Sequence, residues 1–226
     1  MTLSKEKEQE YIKKVKENPS YLKRLTKNQT EAICLEAVKR DGMLLQYVNE
    51  QTHEICLEAI RQNTHALACV KEQTPELCLE AVKRNGNVLE YIKTQTPEIC
   101  LEAVRQNAYA LIYVKEQTPE LCLEAVKKQG YVLGYVKEQT DDICLEAIRE
   151  NAWAIKYVKE QSEEICLEAV KNDSETLQFV EEQTNELCLE AIRQNSRAIK
   201  YVKEQTPEIC MTAYKQNPEM EKYFNL

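Results

Sequence analysis

Glycine and proline are scarce, at four and six residues in a chain of 226, and there are only two Phe and one Trp. An all-β fold needs a Gly- or Pro-rich turn about every ten residues, so that class is excluded. Two histidines leave little room for a His-based metal or acid–base centre. No stretch reaches the ~18 uncharged apolar residues of a membrane helix, and no membrane association is expected. Met1 to Pro19 is a Lys/Glu-rich run without an apolar core, so no secretory leader and a cytoplasmic location are expected. G-x-S-x-G, a Gly-rich phosphate loop, H-E-x-x-H and C-x-x-C are all missing, and with them the common enzyme signatures. What the chain does have is 43% hydrophobic and 30% charged residues, a composition that folds, with a net charge of −8.

Ten cysteines set the organisation. Nine of them, Cys34, Cys56, Cys78, Cys100, Cys122, Cys144, Cys166, Cys188 and Cys210, recur at one constant interval, and only Cys69 stands outside the series. A fixed period of ~22 residues marks a stacked repeat protein. Full copies begin at Thr30, Thr52, Thr74, Thr96, Thr118, Thr140, Ser162 and Thr184, and a degenerate one at Thr206. Residues 5–29 read as a diverged hairpin carrying Ile12, Val15, Tyr21, Leu22 and Leu25.

Each copy reads as two short helices. With the opening Thr counted as position 0, its hydroxyl is suited to cap the first helix, and Pro and Glu at +1 and +2 suit the first turn. Ile or Leu at +3, Cys at +4, Leu at +5, Ala at +7 and Val or Ile at +8 form an apolar arc of about 200° at ~100° per residue, wider than a surface helix needs. Asn at +11 is expected to end that helix. The second helix carries apolar residues at +14, +15 and +18 and Tyr at +17. One hairpin has too few apolar side chains to offset the entropy of ordering its own chain, whereas stacked hairpins share every interface. The expected fold is all-α: an α-solenoid of about ten stacked 22-residue hairpins, with a capping hairpin at 1–29, eight repeats over 30–205 and a second cap at 206–226. Glu221 at +15 of the last copy, in place of Leu, suits such a cap.

The wording of the unit resembles a bacterial and viral family of tandem helical hairpins classed as a domain of unknown function. The matching residues are Glu98 to Val104, Asn107 and Ala110 to Tyr113, within an acidic–apolar-A-V-x-x-N-G-x-A-L-x-Y pattern, and the resemblance extends from Thr30 to Gln205. It implies the hairpin fold and carries no activity.

Several chemical readings can be weighed on spacing alone. The Cys at +4 lies in the apolar arc and acts there as a small hydrophobe; successive copies, about 9–10 Å apart, are too distant for disulfides. So many free thiols point to a reducing compartment. His53, Cys56, His65 and Cys69 are four nitrogen and sulfur groups within one repeat, but the two histidines open different helices, about 12–15 Å apart, and no zinc site is expected. Cys69 takes the Tyr position and could meet Cys56 under oxidation. Glu at +6 and Lys or Arg at +9 recur in nearly every unit, as an i,i+3 pair on a solvated face. A catalytic pair would be peculiar to one place, so no enzyme and no cofactor is expected. The entirely basic +9 row is outnumbered by carboxylates, so no direct nucleic-acid binding is expected.

The copies differ chiefly at +13 and +16, which share one exposed side of the second helix. The candidate binding residues there are Met43, His65, Tyr109, Ile112, Tyr131, Trp153, Lys156, Arg197 and Lys200. Tyr109, Ile112, Tyr131 and Trp153 place large apolar groups in three successive repeats, with Gly134 leaving a shallow gap among them, and a charged flank follows. Such a patch is how binding hot spots are built. The expected function is a monomeric, non-enzymatic scaffold for a protein or extended peptide. The alternative is an acidic inhibitor, of the anti-defence or nucleic-acid-mimic type, that blocks a basic nucleic-acid-binding enzyme.

Overall fold

A computed structural model describes residues 3–225. The fold is an all-α solenoid of about ten hairpins, each a ten-residue α-helix followed by a six-residue 3₁₀ helix, apart from the first, whose α-helix Lys5–Glu17 is longer. The chain divides into two compact units, 1–115 and 116–226. The first holds α1 (Lys5–Glu17), α2 (Glu31–Arg40), α3 (His53–Gln62), α4 (Pro75–Arg84) and α5 (Pro97–Gln106). The second holds α6 (Pro119–Lys128), α7 (Asp141–Glu150), α8 (Glu163–Asn172), α9 (Asn185–Gln194) and α10 (Pro207–Gln216).

The α-helices start as the Thr position predicts. Thr52 Oγ1 accepts from the Ile55 amide at 3.4 Å, and Thr96 from Ile99 at 3.3 Å. They end where Asn at +11 is expected to end them, with Asn63, Asn85 and Asn107 as C-caps. Asn63 has φ −148°, extended rather than left-handed, and its Oδ1 accepts from the His65 amide at 3.0 Å. The +11 residue therefore ends the first helix through its backbone amide, which donates to Ala59 O, and starts the second through its side chain. Asp41 and Asp173 do the same, because a short side-chain oxygen is all that the geometry needs.

The second helix is 3₁₀, as in Gly86–Tyr91 or Ala152–Tyr157, and at three residues per turn positions three apart eclipse. Three faces result: +12 with +15, +13 with +16, and +14 with +17. The first is buried, with Gly42 and Leu45 an example, and the second faces outward. The third straddles the boundary: Leu44 is buried at +14 while Tyr47 at +17 is 38% exposed. The Tyr row is thus half-exposed to exposed rather than core.

A second departure concerns the first helix. Positions +3, +4, +7 and +8 are buried in every full repeat, but Leu at +5 is half-exposed at Leu35, Leu57, Leu79, Leu101, Leu123 and Leu167. The buried arc is narrower than the sequence pattern, because the neighbouring hairpins cover the flanks of the helix and leave its +5 edge at the surface.

Two side-chain ladders fasten consecutive hairpins within each unit, and neither is apolar. Gln73, at +21, donates through Nε2 to Leu67 O (3.2 Å) in its own hairpin and to Tyr91 O (2.9 Å) in the next, while its Oε1 accepts from the Lys93 amide at 3.0 Å. Gln51, Gln95 and Gln183 repeat the pattern. Lysines at +19 reach back to the preceding loop. Lys71 Nζ donates to Val48 O (3.2 Å) and Asn49 O (2.7 Å), and Lys159 Nζ to Val136 O (3.2 Å) and Lys137 O (2.7 Å).

Glycine serves close approach here, not unusual backbone, since no described residue has positive φ. A Cβ on Gly42, Gly86 or Gly130, all at +12, would lie closer than 3.0 Å to the carbonyl oxygen of Ala59, Ala103 or Ala147 in the following helix. At each of these junctions the Gly amide donates to the +10 side chain of the next repeat: Gln62 at 2.6 Å, Gln106 at 2.7 Å, and Glu150. The three glycines fall in alternate repeats, where +10 is Arg40, Arg84 or Lys128; the intervening repeats have Gln or Glu at +10 and Thr64, Ala108 or Ala152 at +12. Superimposed on the 22-residue period, over these first six repeats, is one of 44.

Candidate functional site

The variable face is built on the 3₁₀ helices, where +13 and +16 eclipse. Side chains at +16 are all exposed, among them Gln46, Ala68 and Ile112 in the first unit and Gly134, Lys156 and Lys200 in the second. Position +13 is mixed. In the first unit Tyr109 is 40% and Ile112 52% exposed, His65 is exposed and Met43 half-buried. In the second unit Lys156, Arg197 and Lys200 are exposed while Tyr131 and Trp153 are half-buried.

Three of the +13 rings, two of them half-buried, have structural contacts that spacing does not reveal. A ring at +13 meets the ring at +17 of the following repeat. His65 lies edge-on to Tyr91 at 5.9 Å, Tyr131 to Tyr157 at 6.0 Å, and Trp153 to Phe179 at 5.4 Å between centroids. Such T-shaped pairs contribute about 0.5–1.5 kcal/mol each beyond area burial. Trp153 also donates its indole N–H to Asp173 Oδ2 at 2.8 Å, the same carboxylate that caps the next 3₁₀ helix. Asn107 Nδ2 donates to Asn87 Oδ1 at 2.7 Å across an equivalent junction. The gap expected beside Gly134 is covered, since a Cβ there would come within 3.0 Å of the Tyr157 ring. Lys156 Nζ sits 4.8 Å above that ring, and Lys200 Nζ 5.5 Å from the Tyr201 ring centroid, as cation–π contacts.

The first-helix face is a salt-bridged surface with mixed spacing. Arg149–Glu146 (3.6 Å) and Arg193–Glu190 (3.8 Å) are the i,i+3 pairs that the sequence implies. Arg40–Glu36 (3.1 Å) and Arg84–Glu80 (3.0 Å) are i,i+4 pairs from +10, and Arg61–Glu80 (3.8 Å) joins neighbouring repeats. All are solvent-accessible, so each contributes at most about 1 kcal/mol.

All ten cysteines are free thiols. The nine at +4 are buried, and burial pushes Cys34, Cys144 and Cys188 up to about 11, which suppresses the thiolate near neutral pH. In several repeats the thiol points at the Gln ladder, as in Cys100 Sγ to Gln95 Oε1 at 3.7 Å. Alkylation of the native protein at pH 8 should therefore modify Cys69, the one half-exposed thiol, well before the rest; mass spectrometry showing equal labelling of the ladder cysteines would contradict this. His53 pairs with Glu76 at 3.6 Å and His65 with Asn63 at 3.2 Å, so the two histidines engage different partners. Among the described residues no group of three or more His, Cys, Asp or Glu is placed to hold a metal ion. No helix among them is long and apolar enough to cross a membrane.

A tandem series of short hairpins, similar in its core and variable on one eclipsed row, defines a helical-repeat scaffold. Residues 30–73, 74–117, 118–162 and 162–206 each match the model of the family described as Domain of unknown function (DUF4116), and the chain belongs to that family. Each match spans two hairpins, the same 44-residue step that the glycine junctions mark in the first six repeats. A search of curated proteins finds no match to the chain.

Proposed function

We propose that this protein is a non-enzymatic scaffold that binds a protein or extended peptide through the +13/+16 row of its 3₁₀ helices. The observation that carries this reading is the exposure of position +16 in every full repeat, where the side chain changes from copy to copy on a scaffold whose buried first-helix positions recur. Residues required by the fold recur, whereas an exposed position such as +16 can be fitted to a ligand. Ile112 and Tyr109 supply exposed apolar area in the first unit, and Lys156 and Lys200 supply cations held over tyrosine rings in the second. Tyr131 and Trp153 support the row by bracing the following repeat. The hairpins at 1–29 and 206–226 fit a capping role. Glu221 is exposed at +15, where the preceding repeats bury a Leu or Ile such as Leu177 or Ile199.

The acidic-inhibitor reading draws on a different face, the exposed carboxylates of the α-helix first turns such as Glu76, Glu98 and Glu120. Salt separates the two, since a complex built on exposed charge weakens steeply with ionic strength and one built on apolar area does not. The experiment is affinity capture from lysate, with and without nuclease, comparing wild type with a Tyr109→Ala/Ile112→Ala variant at low and high salt. A partner retained at high salt by wild type and lost by the folded variant supports the row. Capture unaffected by the variant and abolished by salt turns the assignment to the acidic face.

A further inference from the structure

The lysine ladder has an exception that a ligand could complete. In the second unit the +19 positions run Lys137, Lys159, Glu181 and Lys203. Lys159 and Lys203 each donate to two carbonyls of the preceding loop, Lys203 to Val180 O at 3.0 Å and Glu181 O at 2.6 Å. In the first unit Lys71 and Lys115 do the same. The same pair of loop carbonyls is thus an ammonium receptor in hairpin after hairpin. At the equivalent junction Val158 O and Lys159 O have opposite them Glu181, a shorter side chain that cannot donate when ionised. Val158 is 8% exposed there, against 1% for both Val136 and Val180. A cavity of about 500 Å³, lined by Lys159, Glu160, Glu163, Cys166, Glu181 and Glu182 among others, opens at this junction, against about 300 Å³ at the equivalent junction that Lys71 occupies. The Lys159 ammonium is committed to the preceding loop. Glu181 and Glu163 push the Cys166 thiol up in addition to its burial, so their negative charge is felt at the cavity wall.

We propose that this junction binds a primary ammonium group from outside the chain, seated on the Val158 and Lys159 carbonyls and neutralised by Glu181. The geometry of the ligand is the one the chain itself displays, a compact –NH₃⁺ with two carbonyl acceptors. Glu181 replaces the internal cation by its counter-charge. A charge-assisted hydrogen bond to a loop carbonyl is stronger than a neutral one, so the site prefers an alkylammonium to an amide or a hydroxyl. The ammonium can come from a lysine side chain of a protein partner or from a free polyamine. The site lies on the loop edge of the solenoid and is independent of the +13/+16 row.

The test is a titration followed by amide NMR chemical shifts, with a blocked lysine peptide (N-acetyl-Gly-Lys-Gly-amide), spermidine, and the Nε-acetylated form of the same peptide as control. Saturable shifts confined to residues 158–163 and 181–184 are expected with the first two probes and not with the control. Glu181→Lys restores the repeat's own lysine, so it should fold, raise the melting temperature and weaken both probes at least about tenfold, since loss of one charge-assisted contact suffices for that. A tighter lysine peptide assigns the site to a protein partner, and tighter spermidine to a polyamine. Unsaturable shifts spread over all acidic repeats, or localised binding that survives Glu181→Lys, would overturn the proposal.

Discussion

Gln73→Ala should lower the unfolding free energy by about 2–3 kcal/mol, because three hydrogen bonds are lost at one half-buried side chain and each contributes on the order of 1 kcal/mol net. Two of them tie Leu67 O and Tyr91 O, in successive hairpins, to a single amide group, and the third holds the Lys93 amide. The loss therefore falls on the junction itself. Gln73→Glu sharpens the test. It preserves shape but turns an acceptor toward two carbonyl oxygens, which disfavours the ionised acid and raises its pKa in the folded state. Its destabilisation at pH 7 should equal or exceed that of Ala. It should shrink as pH falls through that raised pKa, where a protonated acid can donate once. Urea denaturation at pH 4.5 and pH 7 reads both effects; an Ala variant within about 0.5 kcal/mol of wild type would remove the ladder from the account of stability.

The second large effect is expected at the close junctions. Gly86→Ala adds only a methyl group, but that methyl overlaps the Ala103 carbonyl, which is backbone and cannot rotate away. The two hairpins must separate, weakening the Gly86 amide bond to Gln106, at a cost of about 2–3 kcal/mol. The reverse change at the same repeat position in an intervening hairpin, Ala152→Gly, should cost no more than about 1 kcal/mol, from backbone entropy and a small loss of packing. Thermal unfolding of both variants checks this asymmetry. Equal costs would mean that +12 tolerates side chains alike in all repeats.

The architecture was legible because the cysteine spacing and the Thr cap report it directly, and Thr52, Thr74 and Thr96 do cap their helices. The second helix was harder to read. So short a segment shows too little periodicity to distinguish 3.6 from 3.0 per turn, and the difference moves Tyr from core to boundary. Asn63 ends the first helix as its position implies, but its further role as side-chain cap of the second is not legible, because Asn is at home at both ends of a helix. Gln at +21 recurs in every copy and was a visible signal. Its meaning was hidden because hydrogen bonds between partners 18 and 20 positions apart leave no trace in local pattern. On the candidate row, exposure of Tyr109 and Ile112 follows from position alone. The engagement of Trp153 with Asp173 and Phe179 depends on the neighbouring repeat's geometry, which a single unit's sequence does not contain.

The alternation of Gly at +12 with an acceptor at +10 of the following hairpin bears on how such a chain can change length. Excising residues 52–73 would join the hairpin that contains Gly42 to one carrying Arg84 at +10, so the Gly42 amide would meet a guanidinium where it now meets the Gln62 carbonyl oxygen. Excising 52–95 would instead bring Gln106 to that amide and preserve the match. Gene duplications and deletions that survive selection should therefore move in pairs of hairpins along this part of the array, so that natural length variants differ by even numbers of repeats.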